Sequence, residues 1–138
     1  MTGFIDDTLP NEVTGFVRAS ADIGTAIHEA MHLRASPVFR AKVGENINEG
    51  TTELFTRMVI AYAGSNIERG VYPDQTRAMK RIQDISGLGA LAQWYFSGDR
   101  SAVEKALGPR LDQFMYWMDS KEAAGDAASR ANSAINAL

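Results

Sequence analysis

The sequence predicts an α+β fold, predominantly helical and in one domain, with a small strand pair at its N-terminus. Three observations predict it. Apolar residues recur at helical spacing from about residue 20 to residue 119. Proline and glycine punctuate that stretch at intervals suited to short helices. Only the first 19 residues carry short β-prone runs. At 138 residues, with 45% hydrophobic and 22% charged content, the chain has the size and balance of one ordinary soluble domain with a real core. The expected organisation is a single domain over 1–138: a strand-like wall at 1–19, a helical core at 20–119 and a loosely attached tail at 120–138.

In residues 3–19, Phe4-Ile5 and Val13 to Val17 flank a Pro10-Asn11 turn signal, which suggests a hairpin or two edge strands. Gly15 interrupts the second run and weakens it. Ser20-Ala21-Asp22 can cap a helix that starts near Ile23 and stops around Ser36, because Pro37 disfavours helical geometry in the residue before it. Residues 37–46 read as a connection. A second helix should begin near Asn46 or Asn48 and end at about Ala63, with Gly64 as its stop. Its stripes Leu54, Met58, Ala61 and Phe55, Val59, Tyr62 describe a wide apolar face. Residues 65–71 read as a loop.

Pro73 suits the first turn of a third helix carrying Met79, Ile82 and Ile85 and ending at Gly87. Leu88 to Phe96 reads as a short helix closed by Ser97-Gly98-Asp99. Three consecutive aromatics, Trp94, Tyr95 and Phe96, cannot share one helical face, so most of them should be core. Ser101 and Glu104 have the spacing of a capping box for a helix that Gly108-Pro109 ends. Leu111, Phe114, Met115 and Met118 form one more amphipathic segment. From Lys121 the tail has few large apolar residues, so it is expected to be helical but weakly held.

Several function classes are excluded. A net charge of -3, with cations scattered among acids, offers no electrostatic footprint for nucleic acid. The absence of cysteine rules out disulfides, a thiolate nucleophile and a cysteine metal knuckle. Met1 to Pro10 carries two aspartates and no apolar core, unlike a secretory signal, so synthesis in the cytoplasm without an export tag is expected. No stretch approaches the roughly 18 apolar residues of a membrane span.

The chemistry is concentrated in two short motifs. Both histidines of the chain lie in His28-Glu29-Ala30-Met31-His32, and sixteen residues on comes Asn48-Glu49-Gly50-Thr51-Thr52-Glu53. Histidines four apart on a helix project their rings from one face, where they can grip one zinc ion. Glu29 between them can take a proton from metal-activated water and hand it to a departing amine. Glu49 and Glu53 are also four apart, so one carboxylate can ligate while the other accepts the second N–H of a ligating ring.

His28-Glu29-x-x-His32 followed by Asn48-Glu49-Gly50-x-x-Glu53 resembles the gluzincin branch of the zincin metallopeptidases. Tyr72-Pro73-Asp74 and Trp94 to Asp99 resemble small bacterial zincin domains of polymorphic toxins and injected effectors. The resemblance implies a zincin-like catalytic domain with Zn2+ held by His28, His32 and Glu49. Glu29 would be the general base and Glu53 would orient a ligand histidine. No third histidine is present, so a tyrosine would have to stabilise the oxyanion. Tyr72 is the choice, with Tyr62, Tyr95 and Tyr116 as alternatives. The implied function is a zinc-dependent endopeptidase acting on a protein or peptide in a target cell, delivered by a secretion or injection system and restrained by a cognate immunity protein. The alternatives are a self-processing or housekeeping metallopeptidase, and a non-catalytic zinc-stabilised binding module.

Each motif also has a purely structural reading. Asn46-x-x-Glu49 fits a capping box, Glu53 could pair with Arg57 one turn on, and Tyr72 could anchor beside Pro73.

Overall fold

The computed structural model describes residues 20–65 and 69–138, and every regular element among them is a helix. In chain order these are α1 (Ser20–Arg34), α2 (Pro37–Lys42), α3 (Glu45–Tyr62), α4 (Pro73–Ser86), α5 (Leu88–Ser97), α6 (Ser101–Leu107), α7 (Arg110–Asp119) and α8 (Ala127–Asn136). The expectation of an α+β fold is therefore corrected to an all-helical one: among the described residues there is no strand. The strand pair was placed on residues 3–19, which lie outside the described residues. Among the described residues nothing substitutes for it, because the apolar residues there follow a helical rather than an alternating period.

The chain, expected as one domain, divides into two compact units. In the first, α1 is grouped with residues 52–71; in the second, residues 35–51 are grouped with 72–138. Helix α3 is continuous through the division, its first turns counted with one unit and its remainder with the other.

The second unit holds the larger apolar core. Phe39, Ile47, Met79, Ile82, Leu91, Val103, Leu107, Leu111, Phe114 and Met118 are all buried. Trp94 and Tyr95 are core as expected, while Phe96 is exposed. Phe39 meets both buried rings edge to face, at centroid distances of 5.3 and 5.0 Å. Phe39 belongs to α2, a helix where a connection was expected. Ser36 starts it by accepting from the backbone N–H groups of Val38 and Phe39, with Pro37 at the first helical position. Helices α4, α5 and α6 end at Gly87, Gly98 and Gly108, each with positive φ, as the glycine punctuation predicts.

Two expectations in this unit are revised. Ser101 does not cap α6. Asp99 takes that role, its Oδ1 accepting from the backbone N–H of Ser101 at 2.9 Å. The segment expected to be loosely attached carries α8, whose Ala131 and Ala134 are fully buried. Arg130 donates to the carbonyls of Trp117, Ala123 and Ser120, tying α8 to the end of α7 and the turn after it.

The start of α3 is anchored by a residue far away in sequence. Asp119, at the end of α7, accepts from the backbone N–H groups of Asn46 (2.8 Å) and Ile47 (3.1 Å). Its charge sits at the positive end of the helix dipole. Gly44 makes room for it, since a Cβ there would overlap the Asp119 carboxylate. Gly50 has a similar reason: a Cβ would lie 2.5 Å from the carbonyl oxygen of Gln75. Replacing Asp119 by Ala is expected to cost about 1–2 kcal/mol, the upper range for a lost helix cap. Urea denaturation of the variant checks this, and an unchanged midpoint would show that water caps α3 equally well.

Candidate metal centre

Helix α1 carries His28, Glu29 and His32, and the middle of α3 carries Glu49 and Glu53. The rings of His28 and His32 lie 4.8 Å apart at an interplanar angle of 70°, as a four-residue spacing on one helical face requires. One ligand atom from each of His28, His32 and Glu49 lies within 4.8 Å of the others. This trio could hold a metal ion. Two imidazole nitrogens and a carboxylate oxygen are the donors that a divalent transition metal takes. Bound at ~2.0–2.1 Å in a tetrahedral site, such donors would be about 3.3 Å apart, so loading asks for a modest contraction.

Glu53 lies one turn beyond Glu49 on α3 and is fully buried. Its Oε1 accepts from Nδ1 of His28 at 2.8 Å and from Nη2 of Arg69 at 2.9 Å. Its Oε2 accepts from Nε of Arg69 at 2.6 Å and from Nε of Arg57 at 3.2 Å. A carboxylate has about four lone-pair positions, and all four are taken here. Burial on its own would raise the Glu53 pKa. The bonds from His28, Arg69 and Arg57 and the Arg69 charge outweigh it and bring the group down to about 2. An ionised carboxylate accepts only, so Nδ1 of His28 carries the hydrogen and Nε2 is the lone-pair nitrogen of that tautomer.

This saturation distinguishes the two glutamates. Glu53 has no lone pair to spare for a metal, whereas Glu49 falls in the trio with the histidines. The alternative reading of Glu49 as part of a capping box loses its basis, because the helix N-terminal groups of Asn46 and Ile47 are met by Asp119. The pairing of Glu53 with Arg57 is present, alongside the His28 bond rather than instead of it. His32 has a longer contact, Nδ1 to the hydroxyl of Thr52 at 3.4 Å. The face of α3 around these residues is polar: Thr51, Thr52, Glu53 and Thr56 are buried, while Val59 and Tyr62 of the expected apolar stripe are exposed. Thr51 and Thr56 satisfy their hydroxyls on the carbonyls four residues back.

Glu29 is half-buried, next to His28 on α1. Tyr72 stands at the N-cap of α4 with φ 49° and ψ 49°, and its carbonyl accepts from the N–H and the hydroxyl of Thr76. These two bonds use the Tyr72 backbone at the start of α4 and leave open both the expected aromatic anchoring beside Pro73 and a role for the hydroxyl. Among the other tyrosines, Tyr95 is sealed in the aromatic core, Tyr62 is almost fully exposed and Tyr116 is partly exposed.

Sequence reasoning did not single out Arg69, which lies in a segment read only as a loop. Its signal would have been an arginine near enough to satisfy a glutamate expected on a buried helix face. No helix among the described residues is long and apolar enough to cross a membrane. No protein-family model, curated protein or solved structure matches the chain.

Removing the carboxylate should expose how much depends on it. Arg69 has a side chain only 6% exposed, so Glu53→Ala would strand a buried cation. The expected loss is about 3–5 kcal/mol, the usual range when one partner of a buried ion pair is deleted. Denaturant unfolding measures it, and a loss under ~1 kcal/mol would mean that Arg69 simply swings out to water.

Proposed function

We propose that the chain is a zinc-dependent peptidase in which His28, His32 and Glu49 hold the metal and Glu29 moves the proton. The observation that carries this reading is the convergence of these three donors, with His28 already oriented by an ionised, fully buried carboxylate. A structural pair of surface histidines would have no need of such a partner. The gluzincin-like order of the two motifs supports the same reading. A divalent ion at this place would lower the pKa of water and polarise a substrate carbonyl.

The remaining roles belong to the protein. His28 and His32 present their rings from consecutive turns of α1, so their mutual geometry is set by the helix itself. Glu53 fixes the His28 tautomer and makes that ring a stronger donor. Glu29, one residue from His28 and therefore about 100° round the helix, is placed to the side of the two rings rather than between them. That position suits a base: it takes a proton from water as the new C–O bond forms. It then delivers the proton to the amide nitrogen as the C–N bond breaks.

Tyr72 is proposed to donate a hydrogen bond to the carbonyl oxygen as negative charge develops there. Its support is the backbone, since Tyr72 is the one non-glycine residue with positive φ among those described. A left-handed tyrosine costs about 1–2 kcal/mol, and such strain gathers at functional positions.

Purified protein is expected to bind about one zinc per chain, as read by elemental analysis. Glu29→Gln should keep that metal while kcat on a peptide substrate falls by about 10²–10⁴. A Glu29→Gln variant as active as wild type would remove Glu29 from the mechanism. Tyr72→Phe should lower kcat with little change in KM or melting temperature, and an unchanged kcat would leave Tyr72 as an aromatic anchor beside Pro73.

A further inference from the structure

The two arginines on Glu53 are not equivalent, and the difference points to a device one turn away from His28. Arg57 is partly exposed and lies four residues along the same helix as Glu53. Arg69 comes from outside any helix, is almost fully buried and grips both carboxylate oxygens. To get there its side chain crosses α1 at Gly24. A Cβ at Gly24 would overlap the guanidinium, lying 3.0 Å from Cζ and 3.2 Å from Cδ. Gly24 precedes His28 by four residues, so it occupies the same face of α1 as both histidines. A glycine inside a helix costs about 1 kcal/mol relative to alanine. Here the missing side chain is the seat of the guanidinium.

We propose that Arg69, seated on Gly24, is the positioning residue that holds Glu53 against Nδ1 of His28 and so determines which nitrogen of His28 is offered to a metal. This deepens the metal-centre reading and rests on it for the affinity effect. Arg57 completes the clasp from outside. Its Nη2 donates to the carbonyls of Arg69 (3.2 Å) and Val71 (3.1 Å), so the segment that delivers Arg69 is fastened to α3. The planar fork of arginine suits the task because it spans both oxygens at once and keeps the carboxylate in one plane. A lysine in the same place would supply charge without orientation.

The experiment compares wild type, Gly24→Ala, Arg69→Lys and Arg69→Gln by two measurements. One is ring-nitrogen NMR of His28 in the metal-free protein, at a pH where the imidazole is neutral. The other is zinc affinity by competition with a chelator. Wild type should show a single tautomer with hydrogen on Nδ1. Gly24→Ala should displace the guanidinium, the flexible end of its side chain, while improving the intrinsic helix propensity of α1. It is therefore expected to stay folded, to mix the two His28 tautomers and to bind zinc ~10–100-fold more weakly, the usual size of an effect on a residue that orients a ligand. Arg69→Gln should do the same, and Arg69→Lys should recover only part of the affinity. A Gly24→Ala protein with the wild-type tautomer and wild-type affinity would overturn the proposal, even if Arg69→Gln failed to fold. Wild type that binds no zinc would sink the proposed function instead, while the tautomer of the metal-free ring would still test Arg69.

Discussion

The buried carboxylate of Glu53 is the constraint on which the rest of the candidate site depends. Taking an ionised glutamate out of water costs several kcal/mol unless its lone pairs are met. Four donors from three side chains meet them here, and each donor thereby loses its freedom. One of these donors is the Nδ1–H of His28, so the cost of burying Glu53 is linked to the orientation of a proposed ligand. Another is Arg69, which ties the segment after α3 to α1 and α3 together. A hydrophobic replacement of similar volume could fill this space with no loss of packing. What it could not do is hold an imidazole in one tautomer.

Glu49 and Glu53 illustrate how environment divides labour between identical residues. They lie one turn, about 6 Å, apart on α3. Glu53 sits where two guanidinium groups and an imidazole converge, and every acceptor position it has is consumed. Glu49 is half-buried, and one of its carboxylate oxygens lies within 4.8 Å of a ring nitrogen of each histidine. The one is suited to fix a ring and the other to complete a donor set. The start of the same helix is held independently, by Asp119 on its first N–H groups and by backbone approach at Gly50.

What was legible in the sequence follows the range of the interactions involved. The helix limits marked by Gly64, Pro73, Gly87, Gly98 and Gly108 were readable because these residues act on their immediate neighbours, whereas α1 includes the Ser20 that was expected to cap it. The histidine pair was readable because four residues make one helical turn. The start of α2 was also local, a serine before a proline, but its six residues are too few to show an apolar period. By contrast, Asp119 reaches back 73 residues to cap α3, and no periodicity announces such a partner. The face of α3 was only partly legible for a related reason. Leu54 and Phe55 of the expected stripes are buried, but Val59 and Tyr62 are exposed, and Thr51, Thr52, Glu53 and Thr56 share the buried side with polar atoms satisfied by arginines, a histidine and backbone carbonyls. Hydrophobic pattern reads burial only where burial is apolar.

The same limit explains why Arg69 escaped notice, and why it matters that it did. A buried ion is stable only through partners that are themselves stripped of water, so its existence implies others. Once Glu53 is known to be fully enclosed, some cation must be enclosed with it, and room must be made for that cation's bulk. Gly24 supplies the room. Neither Gly24 nor Arg69 belongs to a recognisable motif, since one looks like a flaw in a helix and the other like a solvated loop residue. Their meaning appears only when the charge balance of Glu53 is followed outward, from carboxylate to guanidinium to the glycine beneath it. The polar cluster around Glu53 therefore reaches one turn of α1 before the first histidine.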